Sequence, residues 1–282
     1  MKPEATKAIL KKIPQVLLVY ILGGAFCRWY QLKNELLPDG SLTQGAFMHR
    51  VLFLLPITFI VGFAFILYGL KKITTHKDGF SKHMFPFVVQ VCAGTLLAAG
   101  NVMQAFAEPD TTYAYTAVSV AMIKYLPYLG ILAGLCIVAF ALLTYMEKTP
   151  TPVLYMLASI YLVVRLIVYF QEWNTDPSVH DYAYQLLAFI TTMLGCFQIA
   201  GFSFGKGKRR ITIFWCLCAA FFCAISVSDY LGNTSDLLIN LSLLVLTLTL
   251  GLQLLYAPDP VEESQEEAPD APAASEDTSP EF

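Results

Sequence analysis

Charge is scarce in this chain. Only 14% of its 282 residues are Asp, Glu, Lys or Arg, against about 25% in soluble domains. So little charge leaves almost nothing for a water-soluble domain. Motifs of familiar chemistry are missing too. There is no Walker A loop, no GxGxxG and no HExxH, which removes the usual sequence grounds for nucleotide binding or zinc hydrolysis. Gly201-Phe202-Ser203-Phe204-Gly205 fits GxSxG, but a nucleophile elbow needs a strand-to-helix turn and this stretch ends an apolar helix. The seven cysteines are odd in number and all fall in apolar segments, so they do not read as a disulfide framework. Cys216 and Cys218 lack hydrophilic neighbours to complete a soft-metal site and read instead as small hydrophobes. No lysine lies deep in the seventh apolar segment, which argues against a retinal pigment. No cofactor and no nucleic-acid partner are expected. An enzyme acting on a lipid head group through Asp176, His180 or Asp229 is disfavoured, because acid–base work needs a positioned pair.

What the chain does have is apolar sequence. Apolar residues make up 56% of it and the mean hydropathy is +0.59. They fall into eight runs of about 20 residues, each matching the roughly 30 Å hydrocarbon core of a bilayer at 1.5 Å rise per residue. The expected fold class is therefore an all-α polytopic membrane helix bundle. Its eight transmembrane helices are placed near 13–31, 49–70, 84–106, 124–146, 152–173, 182–204, 211–231 and 236–256. Pro14, Pro86, Pro127 and Pro152 are expected in or near first turns, where proline is tolerated, and Pro56 inside its span. Lys2, Lys7, Lys11 and Lys12 before the first run resemble a signal peptide. That run continues to Trp29, however, long enough to be a first membrane anchor.

The sparse charges are sorted by side. Thirteen of the 18 Lys and Arg lie in the N-terminal segment or the even-numbered loops. Odd-numbered loops carry Glu35, Asp39, Glu108, Asp110, Glu172, Asp176 and Asp181. The positive-inside rule then puts both termini in the cytoplasm of a cell-membrane protein. His76, Lys77, Lys82 and His83 read as a cytoplasmic basic loop that sets orientation and touches anionic lipid. From Ala257 the chain holds nine acids and no Lys or Arg. Without that tail the balance is 18 basic to 12 acidic, or +6. The tail cannot bury enough apolar area to offset ordering entropy, so it is expected to be disordered, and could dock a basic cytoplasmic protein partner.

An offset of 137 residues superposes Arg28 on Arg165, Glu35 on Glu172, Asp39 on Asp176 and Lys71 on Lys208. It suggests a 4+4 internal repeat with both halves in the same orientation. The expected organisation is 1–147 and 148–256 as four-helix membrane repeats, then 257–282 as the acidic tail.

Two arginines fall inside spans. Arg28 lies about 22 Å into the first helix and Arg165 about 20 Å into the fifth. An arginine at a helix centre costs about 2.5–3.5 kcal/mol on insertion scales, so it turns to a partner or a wet cavity. Tyr161, Arg165, Tyr169 and Glu172 make one stripe at helical spacing. Asn101 and Gln104 on helix 3 and Asp229 on helix 7 lie at similar depth. The expected ligand-binding set is Arg28, Arg165, Tyr169, Glu172, Asn101, Gln104 and Asp229, an outward-facing pocket for a small anionic solute. The bland reading pairs each arginine with a carboxylate of its own protein, Glu108 or Asp229. Transport or binding of that solute is one functional expectation. A membrane sensor or scaffold acting through cytoplasmic loops and tail is the other. No metal site is expected.

Overall fold

The computed structural model describes residues 3–35, 47–68, 76–80, 83–107, 117–173 and 179–257. The acidic tail beyond Ala257, Glu108, Asp176 and the side chains of Glu172, His180 and Asp181 lie outside the described residues.

Among the described residues nine α-helices follow in order: α1 Pro3–Asn34, α2 Phe47–Leu67, α3 His76–Gly79, α4 Met84–Phe106, α5 Ala117–Tyr145, α6 Val153–Trp173, α7 Val179–Ser203, α8 Arg209–Ser226 and α9 Thr234–Tyr256. Eight of them, all but the one-turn α3, are long and apolar enough to cross a membrane. The described residues form no strand, and the protein is an all-α membrane bundle. Large apolar side chains such as Phe53, Phe65, Phe106 and Leu135 are exposed on its flanks. In lipid such a surface carries no penalty, because the tails are as apolar as the side chains.

The packing has a simple plan. Helices α4, α5, α6, α7, α8 and α9 each pack on the next, and α9 returns to α4, closing a circuit of six. In that circuit α6 and α9 stand opposite each other. Helix α1 packs outside on α8, and α2 packs on α1 and α8. This places α8 at the centre of the molecule, and its membrane window is the most enclosed of the eight. The two halves are not packed alike: α7 runs along α8, whereas α2 leans on α1 and α8.

Glycines set the closest approaches. A Cβ on Gly94 of α4 would stand 2.8 Å from the Gly134 carbonyl of α5, and one on Gly134 would stand 2.6 Å from the Gly94 carbonyl. Gly94 and Gly134 thus let α4 and α5 meet backbone to backbone, the use of small residues typical of membrane helices.

Two expected starts move. Helix α5 begins at Ala117, not near Lys124, so Pro127 lies inside it rather than in its first turn. A lysine near a membrane surface can run its stem along the helix and keep its ammonium wet, so Lys124 need not mark the boundary. Helix α1 likewise begins at Pro3 and encloses Pro14. Pro56 lies within α2 as expected.

The two ends of the bundle differ. At the end where the basic loops join the helices, α3 tucks beneath the circuit. Phe80 meets Phe140 of α5 edge-on at 5.8 Å and Phe202 of α7 at 5.5 Å. His76 stacks on Phe80 at 4.9 Å and is buried, so it is not available to touch anionic lipid as expected of the basic loop. The apolar floor beneath α5 and α7 needed a cover, and this turn supplies it. Nearby, Arg209 donates from Nε to Leu254 O (2.8 Å) and from Nη2 to Leu255 O (3.1 Å) and Ala257 O (2.8 Å). It thereby satisfies carbonyls that the end of α9 would otherwise leave orphaned.

Candidate functional site

At the opposite end, where the acidic loops join, the interior of the circuit is polar. Its centre is Arg165 of α6, which is buried. The stripe Tyr161–Arg165–Tyr169 places two phenols one turn below and above the guanidinium. Arg165 Nη1 donates to Tyr161 Oη at 2.8 Å, and Nη2 donates to Tyr169 Oη at 2.9 Å. The guanidinium carbon also lies 4.9 Å from the Tyr169 ring centre and 5.4 Å from that of Phe189.

The counter-ion is Asp236, in the first turn of α9 on the far side of the circuit. Its Oδ1 receives Arg165 Nη2 at 2.5 Å, Tyr169 Oη at 2.6 Å and Gln104 Nε2 at 2.7 Å. Its Oδ2 receives Asn233 Nδ2 at 2.7 Å. Asn233 is the N-cap of α9, and its side-chain oxygen accepts from the Ser235 and Asp236 amides. Gln104 is bidentate in role, since its Oε1 accepts from Arg165 Nη1 at 3.3 Å. A second layer lies behind Tyr161, whose hydroxyl donates to Asn101 Oδ1 at 3.0 Å. Asn101 in turn donates to Leu97 O. Gly130 makes room for it, because a Cβ there would stand 2.0 Å from Asn101 Oδ1. Arg165 Nε and the hydroxyl of Tyr230 are buried and have no hydrogen-bond partner among the described residues.

Arg28 belongs to a separate cluster. It is buried, donates from Nε to Asp229 Oδ1 at 2.8 Å and from Nη1 to Gln31 Oε1 at 2.8 Å, and lies 5.5 Å from the Tyr184 ring centre. Asp229 sits in the 3-10 turn Val227–Tyr230 that continues α8. The two carboxylates are therefore seven residues apart, on either side of the tight connection from α8 to α9. Tyr230 lies between the clusters, within electrostatic range of Arg165, Asp236 and Asp229.

Of the seven residues expected to form one site, the structure gathers Asn101, Gln104, Arg165 and Tyr169 in one network and Arg28 and Asp229 in another. Sequence reasoning missed Asp236, Asn233 and Gln31. The signal for the first two was the Asn233-Thr-Ser-Asp236 spacing, a helix-start pattern with a carboxylate at its third helical position. That pattern places Asp236 in a first turn. It says nothing of an arginine 71 residues earlier.

Chemically, the Arg165 network is a cage of donors around one carboxylate, with formal charge balanced inside it. A buried ion pair repays its desolvation only with further hydrogen bonds to its remaining lone pairs and protons, and here two phenols and two amides supply them for all but Arg165 Nε. Set against known proteins, the chain matches no family model, no curated protein and no solved structure.

Proposed function

We propose that this integral membrane protein binds, and passes across the membrane, a small anionic solute admitted at the acidic-loop end. The observation that supports this is the convergence of four donors from α4, α6 and the α9 cap on the single carboxylate of Asp236. A guanidinium fork, a phenol and two primary amides are the groups that recognise a carboxylate or phosphate. Asp236 holds that place with a carboxylate of the protein itself. On this reading Asp236 is a tethered stand-in that an arriving solute displaces. Its side chain keeps 10% of its exposure while that of Arg165 keeps 1%, so the displaceable partner is the more accessible one. The charge asymmetry of the loops supports a reading in which this end faces out of the cell and both termini lie in the cytoplasm. Arg28 and Asp229 then brace the other side of the connection that carries Asp236.

The test is thermal unfolding of the purified protein against small carboxylates, phosphate and sulfate, comparing wild type with Arg165→Gln and Asp236→Asn. A solute at 100 times its dissociation constant should add about 2.7 kcal/mol if it binds only the folded state. Stabilisation should be stronger in Asp236→Asn, which removes the competing charge, and absent in Arg165→Gln. If no anion stabilises either wild type or Asp236→Asn, the proposal fails.

A second reading, a sensor or scaffold subunit acting through its cytoplasmic loops and acidic tail, draws on the saturation of Asp236. A carboxylate holding four donors is also what a rigid staple between α4, α6 and α9 requires. That reading expects no anion effect, and loss of function when residues 258–282 are removed.

A further inference from the structure

The end of α2 and the start of α8 line a groove of about 340 Å³ at the basic-loop end. Its walls are Ala64, Leu67 and Tyr68 at the end of α2, and Ile211, Phe214 and Trp215 in the first two turns of α8. Arg210 stands at its rim. The two successive arginines of α8 are used differently. Arg209 turns inward and is spent on the carbonyls that end α9. Arg210, about 100° round the helix, turns to the α2 side, where its guanidinium carbon lies 5.7 Å from the Tyr68 ring centre. Lys206 and Lys208, both exposed, precede it on the same end of the molecule.

We infer that this groove is a binding site for an anionic phospholipid, with an acyl chain against Phe214 and Trp215 and the head-group phosphate on Arg210. Three features together favour that occupant. The walls are apolar along the length a hydrocarbon chain would follow. The one charged lining residue among the described residues is cationic and sits where the apolar span gives way to the basic loop, the depth at which a phosphodiester lies. Arg210 is half-buried with its guanidinium over the Tyr68 ring, and a planar guanidinium fork suits phosphate oxygens. Basic pockets between helices on the positively charged side are suited to anionic head groups in this way.

Trp215 in the wall supplies the readout. The full chain carrying Trp29→Phe and Trp173→Phe leaves it as the sole tryptophan. This protein would be reconstituted into phosphatidylcholine vesicles in which a rising fraction is replaced by brominated phosphatidylglycerol or, in parallel, by brominated phosphatidylcholine. Brominated phosphatidylglycerol should quench Trp215 at a several-fold lower mole fraction. Arg210→Gln should erase that preference while leaving quenching by brominated phosphatidylcholine intact, and Arg210→Lys should keep part of it. Equal quenching by the two lipids in the unsubstituted groove, or a preference that survives Arg210→Gln, would overturn the assignment.

Discussion

Arg165 and Asp236 face each other across the six-helix circuit, one from the middle of α6 and the other from the first turn of α9, with Nη2 and Oδ1 at 2.5 Å. Neither helix packs directly along the other, so the pair is a strut through the interior. Removing one partner leaves the other as an uncompensated buried charge, which typically costs about 3–5 kcal/mol. Arg165→Gln and Asp236→Ala should each lower stability by about that amount. The double variant should lose much less than the sum, because neither charge is then stranded. Unfolding of all four proteins in one detergent, assembled as a double-mutant cycle, measures the coupling. Additive losses would mean that the two side chains do not depend on each other.

How much of this was legible beforehand varies with the length scale of the signal. Helix count follows from local composition, so all eight spans were readable. Depth along a helix is also local, which is why Asn101, Gln104, Arg165 and Tyr169 could be named together. Which carboxylate neutralises which arginine depends on the order of helices around the circuit, and no periodicity carries that. Asp236 was passed over as a helix boundary, although its helix-start spacing was visible. The burial of His76 was hidden for a similar reason. Its neighbours in sequence are Lys77 and Asp78, and only the placement of Phe140 and Phe202 explains why it turns inward.

Asn101 depends on a missing side chain. Gly130→Ala would put a methyl 2.0 Å from Asn101 Oδ1 and push the amide away from Tyr161. Overpacking of a filled interior costs about 1–3 kcal/mol. The double variant Gly130→Ala with Asn101→Ala should be more stable than Gly130→Ala alone, since the clash is gone although the hydrogen bond is lost. Melting temperatures of the three proteins decide it, and a harmless Gly130→Ala would show that α4 and α5 can slide apart freely.

His76 should make stability depend on pH. Burial beneath Phe80 and Phe140 pushes its imidazole down from 6.5 to about 4. Its other close contact is the hydroxyl of Thr144. In the unfolded chain the ring takes up its proton near pH 6.5, and in the folded protein only near pH 4. The stabilisation from keeping it neutral is therefore complete above 6.5 and is lost as pH falls through that window towards 4. Carboxylates titrate in the lower part of the range, so the quantity to compare is the difference between wild type and His76→Phe. Wild type should lose more of its melting temperature between pH 7 and pH 4.5. Parallel curves for the two proteins would place His76 in water.

Arg28 should not tolerate lysine. Its guanidinium donates through two different nitrogens, Nε to Asp229 and Nη1 to Gln31, while lying against the Tyr184 ring. An ammonium is a compact point charge that can answer the carboxylate but cannot also hold the amide while lying over the ring. A hydrogen bond to a charged group is worth about 1.5–3 kcal/mol, and at least one is lost. Arg28→Lys should therefore be destabilised by about 2 kcal/mol despite keeping its charge, and Gln31→Ala should narrow the gap between the arginine and lysine proteins. The comparison needs the unfolding free energies of wild type, Arg28→Lys, Gln31→Ala and the double variant. If Arg28→Lys matches wild type, charge alone braces the α8–α9 connection against α1, and the planar fork is incidental.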